Sequence, residues 1–197
     1  MRPGDKVLIG VGGTIGSGKT LVSKIFQELG AQYVSADELG WEVLPDIRDG
    51  LRKRFGERIM KNGTVDRERL REIVFSGKEN LDYLNRLSHP LLVKKILKRV
   101  EDIEDGIVVI DAALLFDWPA IEEIVDYRIL ITSDEEVKEE RMARKGISRK
   151  LFRQILGFQK SDAEVMKRAK FVIDNNGGID SLKIQCKDIY RQIKNDC

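Results

Sequence analysis

The sequence predicts an α/β fold in which a five-stranded parallel sheet is flanked by helices. Short apolar runs, typical of buried strands, alternate with longer stretches of helical periodicity. A glycine-rich turn joins the first of these runs to the first helix. Strands separated by helices indicate parallel pairing with right-handed crossovers. The predicted strands are 7–11, 31–35, 107–110, 127–131 and 171–173.

The turn after the first strand carries the clearest chemical signal. It reads GTIGSGKT and fits the P-loop pattern G-x-x-x-x-G-K-[ST], with the strand before it and the helix after it that the pattern requires. Glycines let successive N–H groups point inward around a phosphate. We expect Lys19 to reach the β- and γ-phosphates of ATP and Thr20 to offer its hydroxyl to Mg²⁺. The predicted nucleotide-binding residues of the loop are Gly13, Thr14, Ile15, Gly16, Ser17, Gly18, Lys19 and Thr20.

The longest region between two predicted strands is mostly helical. A helix over 38–44 is expected to stop at Pro45, and nearly everything from there to Val100 has helical periodicity. We interpret roughly residues 45–105 as an inserted, substrate-facing helical subdomain. Ser133 and Glu136 match a capping box, and so do Ser161 and Glu164.

Residues 133–165 contain a basic helical hairpin joined through Gly146. A solvated helix face explains such charge in many proteins. Beside a P-loop, the same hairpin is typical of a lid that closes over the triphosphate. Arginines of a lid stabilise the charge of the transition state. The whole chain, 1–197, is predicted to be a single domain of the P-loop NTPase or kinase fold.

Acidic and polar side chains follow several predicted strands. In parallel sheets ligands bind beyond the carboxyl ends of the strands, so these residues are expected to share one site. Asp37 is the preferred base or metal-associated residue, with a helix N-cap as the alternative. Asp111 ends a Walker B-like strand, although a buried strand with a capping Asp has the same pattern. His89, before Pro90, either faces the substrate or caps and packs a helix.

Composition narrows the class of partner. The 35 Lys and Arg nearly balance the 33 Asp and Glu, so the net charge of +2 gives no reason to expect a nucleic-acid or membrane partner. Cys186, Cys197 and the single His89 provide no Cys/His metal cluster. The N-terminal apolar run is too short for a signal peptide or a membrane span. We therefore expect a cytoplasmic protein with reduced thiols. We also expect a monomer or a small homo-oligomer, a choice that the composition does not decide.

Several short segments in order resemble the dephospho-CoA kinase family over nearly the whole chain. They are IGSGKT, SADELGWEV, NGTVDRERLREIVF, LSHPL, IDAALLFD, ERMARKGIS and FVIDNNG. The resemblance implies ATP- and Mg²⁺-dependent phosphorylation of the ribose 3′-hydroxyl of dephospho-CoA, the last step of coenzyme A biosynthesis. It also implies that the helical insert binds CoA.

The resemblance assigns roles residue by residue. Asp37 matches the second Asp of the family's Asp-Ala-Asp and is the expected base, assisted by Lys19. Arg141 and Arg144 match lid arginines, the first catalytic and the second ATP-binding. Asn175 lies in the Asp-Asn-Asn-Gly segment near the expected ATP site. Asp37, His89 and Asp111 are expected to contact the substrate, and Thr20 to hold Mg²⁺, with Asp37 or Asp111 through water.

The chain departs from the family pattern at five positions. Ser35 replaces the first Asp, Gly12 and Thr14 alter the usual Thr-Gly-Gly-Ile opening of the loop, and Ala113 and Asp117 replace a Pro and a Glu. We expect local geometry to differ in the first turn of the loop. The alternative functions are another small-molecule P-loop kinase, with a nucleotide or shikimate-like acceptor, or a P-loop GTPase switch.

Overall fold

The structure, a computed structural model, describes residues 6–196, so Cys197 lies outside the described residues. Its strands in chain order are β1 (Lys6–Gly12), β2 (Gln32–Ser35), β3 (Met60–Lys61), β4 (Thr64–Val65), β5 (Gly106–Asp111), β6 (Tyr127–Thr132) and β7 (Phe171–Asp174). Its α-helices are α1 (Lys19–Glu28), α2 (Ala36–Phe55), α3 (Arg67–Val74), α4 (Lys78–Glu101), α5 (Pro119–Glu122), α6 (Glu135–Ala143), α7 (Arg149–Gly157), α8 (Asp162–Val165) and α9 (Ile179–Asp196).

Five strands form one parallel sheet in the order β2-β5-β1-β6-β7, which confirms the predicted fold class. The register brings the strand ends to one edge, because Ser35 pairs with Asp111 and Thr132 with Asp174. The glycine-rich loop leaves β1 in the middle of this edge. The order of the strands therefore places the loop between the Asp111 carboxylate at the end of β5 and the polar residues at the ends of β6 and β7.

Helices cover both faces of the sheet, and alternating side chains of each strand explain why. In β5, Ile107 and Val109 pack with α1 and α9, whereas Val108 and Ile110 pack with α2 and α4. A strand buried on both faces reads as a continuous apolar run, which is what the sequence showed. The core is thus two apolar layers separated by the sheet.

Helices α2 and α4 each continue through a proline, so α2 is longer than the sequence predicts. Proline lacks an N–H and usually ends or kinks a helix. Pro45 is exposed inside α2, and Pro90 is exposed inside α4. Both helices bury an apolar stripe against the same core, which includes Leu51 and Ile96. Packing of that stripe offsets the lost hydrogen bond, and the predicted stop at Pro45 is wrong.

A short antiparallel hairpin, β3 and β4, interrupts the region that the sequence predicts to be almost entirely helical. Asn62 and Gly63 form its turn with φ angles of 52° and 78°. Asn-Gly favours hairpin turns because both residues accept positive φ. The dipeptide was the available signal for this element, and helical periodicity on either side obscured it.

The helix caps differ from the sequence predictions at two sites. Ser35, not Asp37, caps α2, because its Oγ accepts the Glu38 N–H at 3.2 Å. Asp134 is the N-cap of α6, and the Ser133 hydroxyl instead donates to the Asn175 carbonyl, so the predicted capping box there is wrong. The box of Ser161 with Glu164 is confirmed.

No helix within residues 6–196 is both long and apolar enough to cross a membrane. Cys186 is a free, buried cysteine on α9. Burial raises the pKa of its thiol to about 12, so little reactive thiolate forms near neutral pH.

Candidate active site

The loop between β1 and α1 has the backbone of an anion cradle. Gly13, Gly16 and Gly18 have φ angles of 145°, 81° and 100°, values that residues with a Cβ rarely adopt. The Ser17 N–H donates to the Thr14 carbonyl at 3.2 Å and closes the turn. Helix α1 begins directly after it, so the positive end of the helix faces the same space.

Asn175, after β7, locks the second half of this loop. Its Nδ2 donates to the Ser17 carbonyl at 2.7 Å, and the residue is only 3% exposed. A Cβ on Gly18 would lie 2.1 Å from the same Nδ2. The amide therefore occupies the space that any side chain at position 18 would need.

Arg141 of α6 binds the loop and two residues beside it. Its guanidinium donates to the carbonyls of Gly16, Ser17 and Asn175 at 3.3, 3.4 and 2.7 Å, and to the Ser133 hydroxyl at 3.0 Å. A planar fork with five N–H donors suits this set of acceptors. By contrast, the side chain of Arg144 is 78% exposed and lies 3.5 Å from the Glu140 carboxylate.

Asp111, at the end of β5, is joined to the loop through Thr20. The Thr20 hydroxyl donates to Asp111 Oδ2 at 2.8 Å, and the Tyr33 hydroxyl donates to the same oxygen at 3.2 Å. Burial raises the pKa of the Asp111 carboxyl, although the Lys19 charge and the Thr20 hydrogen bond oppose this shift. Burial also raises the pKa of Tyr33 to about 12, so its hydroxyl remains a donor.

The charges of Lys19 and Asp37 also act on this carboxylate. Lys19 Nζ donates to the Thr14 carbonyl at 3.1 Å. Burial lowers the pKa of Lys19, while the charges of Asp111 and Asp37 oppose that shift. The Asp37 charge in turn contributes to the raised pKa of Asp111. Asp37 is exposed in the first turn of α2, and its charge influences the pKa of both Lys19 and Asp111.

A mainly apolar cavity of about 450 Å³ opens beside Asp37. It lies between α2, α4, the segment after β5 and the end of α7. Its volume lies within the usual range for small-molecule sites. Asp37 and His89 both line it, and its large apolar and aromatic side chains are Trp41, Leu44, Leu70, Phe75, Leu81, Leu84, Leu92, Leu114, Trp118, Ile155 and Phe158.

His89 does not cap a helix, because it lies inside α4. The Trp118 Nε1–H donates to His89 Nδ1 at 3.2 Å, and the two rings pack edge to face with centroids 5.1 Å apart. An indole N–H can only donate, so Nδ1 carries no proton and the neutral ring has its proton on Nε2. Trp118 thereby selects the tautomer of His89 in the cavity wall.

This contact predicts how the protonation of His89 responds to a change at Trp118. Burial lowers the pKa of His89 from 6.5, although Asp117 opposes the shift. Between pH 6.5 and the lower pKa of the folded state, His89 is protonated in the unfolded chain but neutral in the folded protein. The free energy of unfolding therefore falls as the pH drops through this range. Trp118→Phe removes a donor to the neutral ring, so we expect the pKa of His89 to rise.

His89 is the only histidine, so an NMR titration of its ring reports this pKa without overlap. Trp41→Phe is the matched control, because Trp41 lines the same cavity and stacks with Arg67 instead. An unchanged pKa in Trp118→Phe, or an equal rise in Trp41→Phe, would contradict the tautomer assignment.

Four residues at the site were not identified from the sequence. Trp118 orients His89, Gln159 Oε1 accepts the Ile15 N–H at 2.8 Å, and Asp162 connects Thr14 to the buried Lys138. Lys138 lies within the predicted basic hairpin, but its pairing with Asp162 was not predicted. These contacts join residues 24 to 148 positions apart, which sequence periodicity does not report.

The residues of the loop fit ATP and Mg²⁺ by their chemistry. The left-handed glycines, Lys19 and the start of α1 are suited to a phosphate chain, and a hydroxyl beside a carboxylate suits a hard cation. Among residues 6–196 there is no group of three or more His, Cys, Asp and Glu side chains that could hold a metal by themselves. Mg²⁺ in kinases needs only one or two protein ligands, because phosphates and water supply the others.

A phosphate loop with this sheet order and an adjoining cavity for a second molecule is the arrangement of a P-loop kinase. The family model described as dephospho-CoA kinase matches residues 7–181, and the chain belongs to that family. The dephospho-CoA kinase of Fusobacterium nucleatum is 32% identical over 97% of each chain. That of Carboxydothermus hydrogenoformans is 34% identical over 95% of this chain and 94% of its own.

A solved structure gives the same result. The dephospho-CoA kinase from Campylobacter jejuni superposes with a TM-score of 0.62 at 26% identity, covering 95% of this chain and 97% of its own. The predicted family and reaction class are thereby confirmed, and the GTPase alternative is not supported.

Proposed function

We propose that this chain transfers the γ-phosphoryl group of ATP to the ribose 3′-hydroxyl of dephospho-CoA, with Asp37 as the base. The observation that carries the proposal is the position of Asp37, which lines the apolar cavity and is an electrostatic neighbour of Lys19 in the phosphate loop. Asp37 thus borders the proposed acceptor cavity, and its charge acts on Lys19 of the donor loop. It is suited to orient and deprotonate an attacking hydroxyl.

The donor side is proposed to be organised by the loop. Its N–H groups and Lys19 hold the β- and γ-phosphates of ATP. Arg141 keeps the loop in this conformation through its carbonyl contacts, and Asn175 does so from β7. Arg144 is exposed, and its proposed contact with ATP depends on movement of its side chain toward the loop.

We assign Mg²⁺ to the Thr20 hydroxyl, with Asp111 connected through water. Asp111 already accepts hydrogen bonds from Thr20 and Tyr33, which favours an outer-sphere role. The ion, when bound, neutralises charge on the phosphates and so favours phosphoryl transfer.

The acceptor side is proposed to be the cavity, with the ribose next to Asp37 and an apolar part of the molecule along the aromatic wall. His89, with Nε2–H as its donor, faces acceptor atoms of the substrate. The helical segment 45–105 supplies much of this wall, and the segment 133–165 supplies the wall nearest the loop. These are the proposed CoA-binding insert and the proposed lid.

We further propose that the enzyme works in the cytoplasm on a free small-molecule substrate, without a nucleic-acid or membrane partner. Near-balanced charge and a buried, unreactive Cys186 support this location.

The direct test is a coupled assay with purified protein, MgATP and dephospho-CoA. We expect stoichiometric CoA and ADP, with AMP and shikimate left largely unphosphorylated and ATP strongly preferred over GTP. Chromatographic detection of CoA distinguishes transfer from simple ATP hydrolysis. A folded sample that binds ATP and yet forms no CoA would disprove the proposed acceptor.

A further inference from the structure

Two side chains of the proposed lid, Gln159 and Asp162, contact the first half of the phosphate loop, and a third, Lys138, holds Asp162. The Thr14 hydroxyl donates to Asp162 Oδ1 at 3.3 Å, and the Ile15 N–H donates to Gln159 Oε1 at 2.8 Å. Asp162 also accepts a 2.7 Å hydrogen bond from Lys138 Nζ through its other carboxylate oxygen. We call Lys138, Gln159 and Asp162 the loop brace.

The ion pair between Lys138 and Asp162 is largely buried, so its geometry is tightly constrained. The side chain of Lys138 is 7% exposed and that of Asp162 is 18% exposed. A buried ammonium needs a close anionic partner, because its removal from water is otherwise strongly unfavourable. The backbone of Lys138 also packs on the loop, since a Cβ on Gly16 would lie 2.8 Å from the Lys138 carbonyl oxygen. Lys138 thus fixes Asp162 while α6 fixes the loop.

Thr14 passes this restraint to the reactive part of the loop. The residue is 4% exposed, and its carbonyl accepts hydrogen bonds from Lys19 Nζ at 3.1 Å and from the Ser17 N–H at 3.2 Å. The position of Thr14 therefore restrains the position of the Lys19 ammonium. The hydroxyl that anchors Thr14 to Asp162 belongs to a position where the chain departs from a Thr-Gly-Gly-Ile opening, and a glycine there has no such anchor.

We infer that the loop brace positions the phosphate loop and Lys19 for the nucleotide, with Thr14 as the connecting residue. Gln159, Asp162 and Lys138 are positioning residues that act through Thr14 and Ile15. The inference rests on the proposed function only in taking ATP as the loop's ligand, and it does not depend on the identity of the acceptor. A loop that is already ordered loses less conformational freedom on binding, so the brace contributes to nucleotide affinity.

The test is direct nucleotide binding, measured by titration calorimetry with MgADP and MgATP. Thr14→Val removes the hydroxyl and retains a similar shape. We expect about tenfold weaker nucleotide binding, the effect of one charge-assisted hydrogen bond. Thr14→Ser should restore most of the affinity. Amide exchange at Ile15 should accelerate in Thr14→Val, which reports order in the loop rather than global stability.

The double variant Lys138→Met with Asp162→Ala removes the ion pair without leaving a buried charge unpaired, and we expect it to weaken nucleotide binding by at least as much. Arg149→Ala is the control, because Arg149 pairs with Glu139 at 2.8 Å between α6 and α7, outside the brace. Kinetics with dephospho-CoA should show a raised KM for ATP and a nearly unchanged KM for the acceptor.

Nucleotide affinities in Thr14→Val or the double variant that match those of Arg149→Ala would overturn the inference. So would an equal change in the KM of both substrates. If another acceptor proves correct, the calorimetric result still decides the role of the brace, so the two proposals fail separately.

Discussion

Replacement of Asp37 by Asn is expected to lower kcat by about 10²- to 10⁴-fold, the usual contribution of a general base. The amide keeps the size of the side chain and can still accept a hydrogen bond, but it cannot take the proton of the attacking hydroxyl. The loop contacts of Lys19, Arg141 and Asn175 do not involve Asp37, so ATP should still bind. Steady-state kinetics with dephospho-CoA and calorimetry with MgATP measure the two quantities separately.

Glu38→Gln is the matched control for this change. Glu38 follows Asp37 in the same turn of α2, but its side chain does not line the cavity. The Glu38→Gln change should leave kcat within about twofold of the unmodified protein, since an exposed side chain outside the site has little effect. Turnover by Asp37→Asn close to that of Glu38→Gln would remove Asp37 from the role of base. Asp37 could not then be assigned to capping of α2 either, because Ser35 is the residue that caps this helix.

The sheet and the phosphate loop were predictable because their signals are local. A β-strand buried on both faces is a short apolar run, and a loop of left-handed glycines requires glycine itself. Gly13, Gly16 and Gly18 have the positive φ angles that the pattern implies. The carboxyl ends of parallel strands share an edge, which is why Asp111 could be placed near the loop from the sequence alone.

The helical regions were less predictable because tertiary packing determines their ends. Pro45 and Pro90 are local stop signals, yet both lie inside long helices whose buried stripes meet one another. The intrinsic cost of proline in a helix is about 3 kcal/mol or more, and burial of a few large apolar side chains is of the same order. A sequence pattern reveals the cost of the proline but not the free energy gained by burying the side chains around it.

The contacts around the loop were the least predictable part of the site. Arg141 was assigned to a lid, and its four acceptors are three backbone carbonyls and one hydroxyl, groups that no side-chain pattern identifies. Thr14 with Asp162 and His89 with Trp118 are pairs of ordinary residues that become informative only when the fold brings them together.

Gly18→Ala is expected to weaken nucleotide binding by at least about a hundredfold in a chain that still folds. The new Cβ would lie 2.1 Å from Asn175 Nδ2, far inside contact distance. Asn175 is held in place, because it is 3% exposed and its backbone carbonyl accepts hydrogen bonds from Arg141 and Ser133. The φ of 100° adds strain of about 1–2 kcal/mol for a residue with a side chain. The loop must therefore shift, and its N–H groups with it.

Gly157→Ala is the control that separates the clash with Asn175 from the general effect of replacing glycine by alanine. Gly157 lies in α7, and no heavy atom lies within 4 Å of the position its Cβ would take. Alanine there is expected to stabilise the helix by about 0.5–1 kcal/mol and leave nucleotide binding unchanged. Calorimetry with MgADP gives the affinities, and thermal unfolding verifies that both variants are folded. Normal affinity in Gly18→Ala would mean that Asn175 moves to admit the methyl group, so that its hydrogen bond to Ser17 does not determine the shape of the cradle.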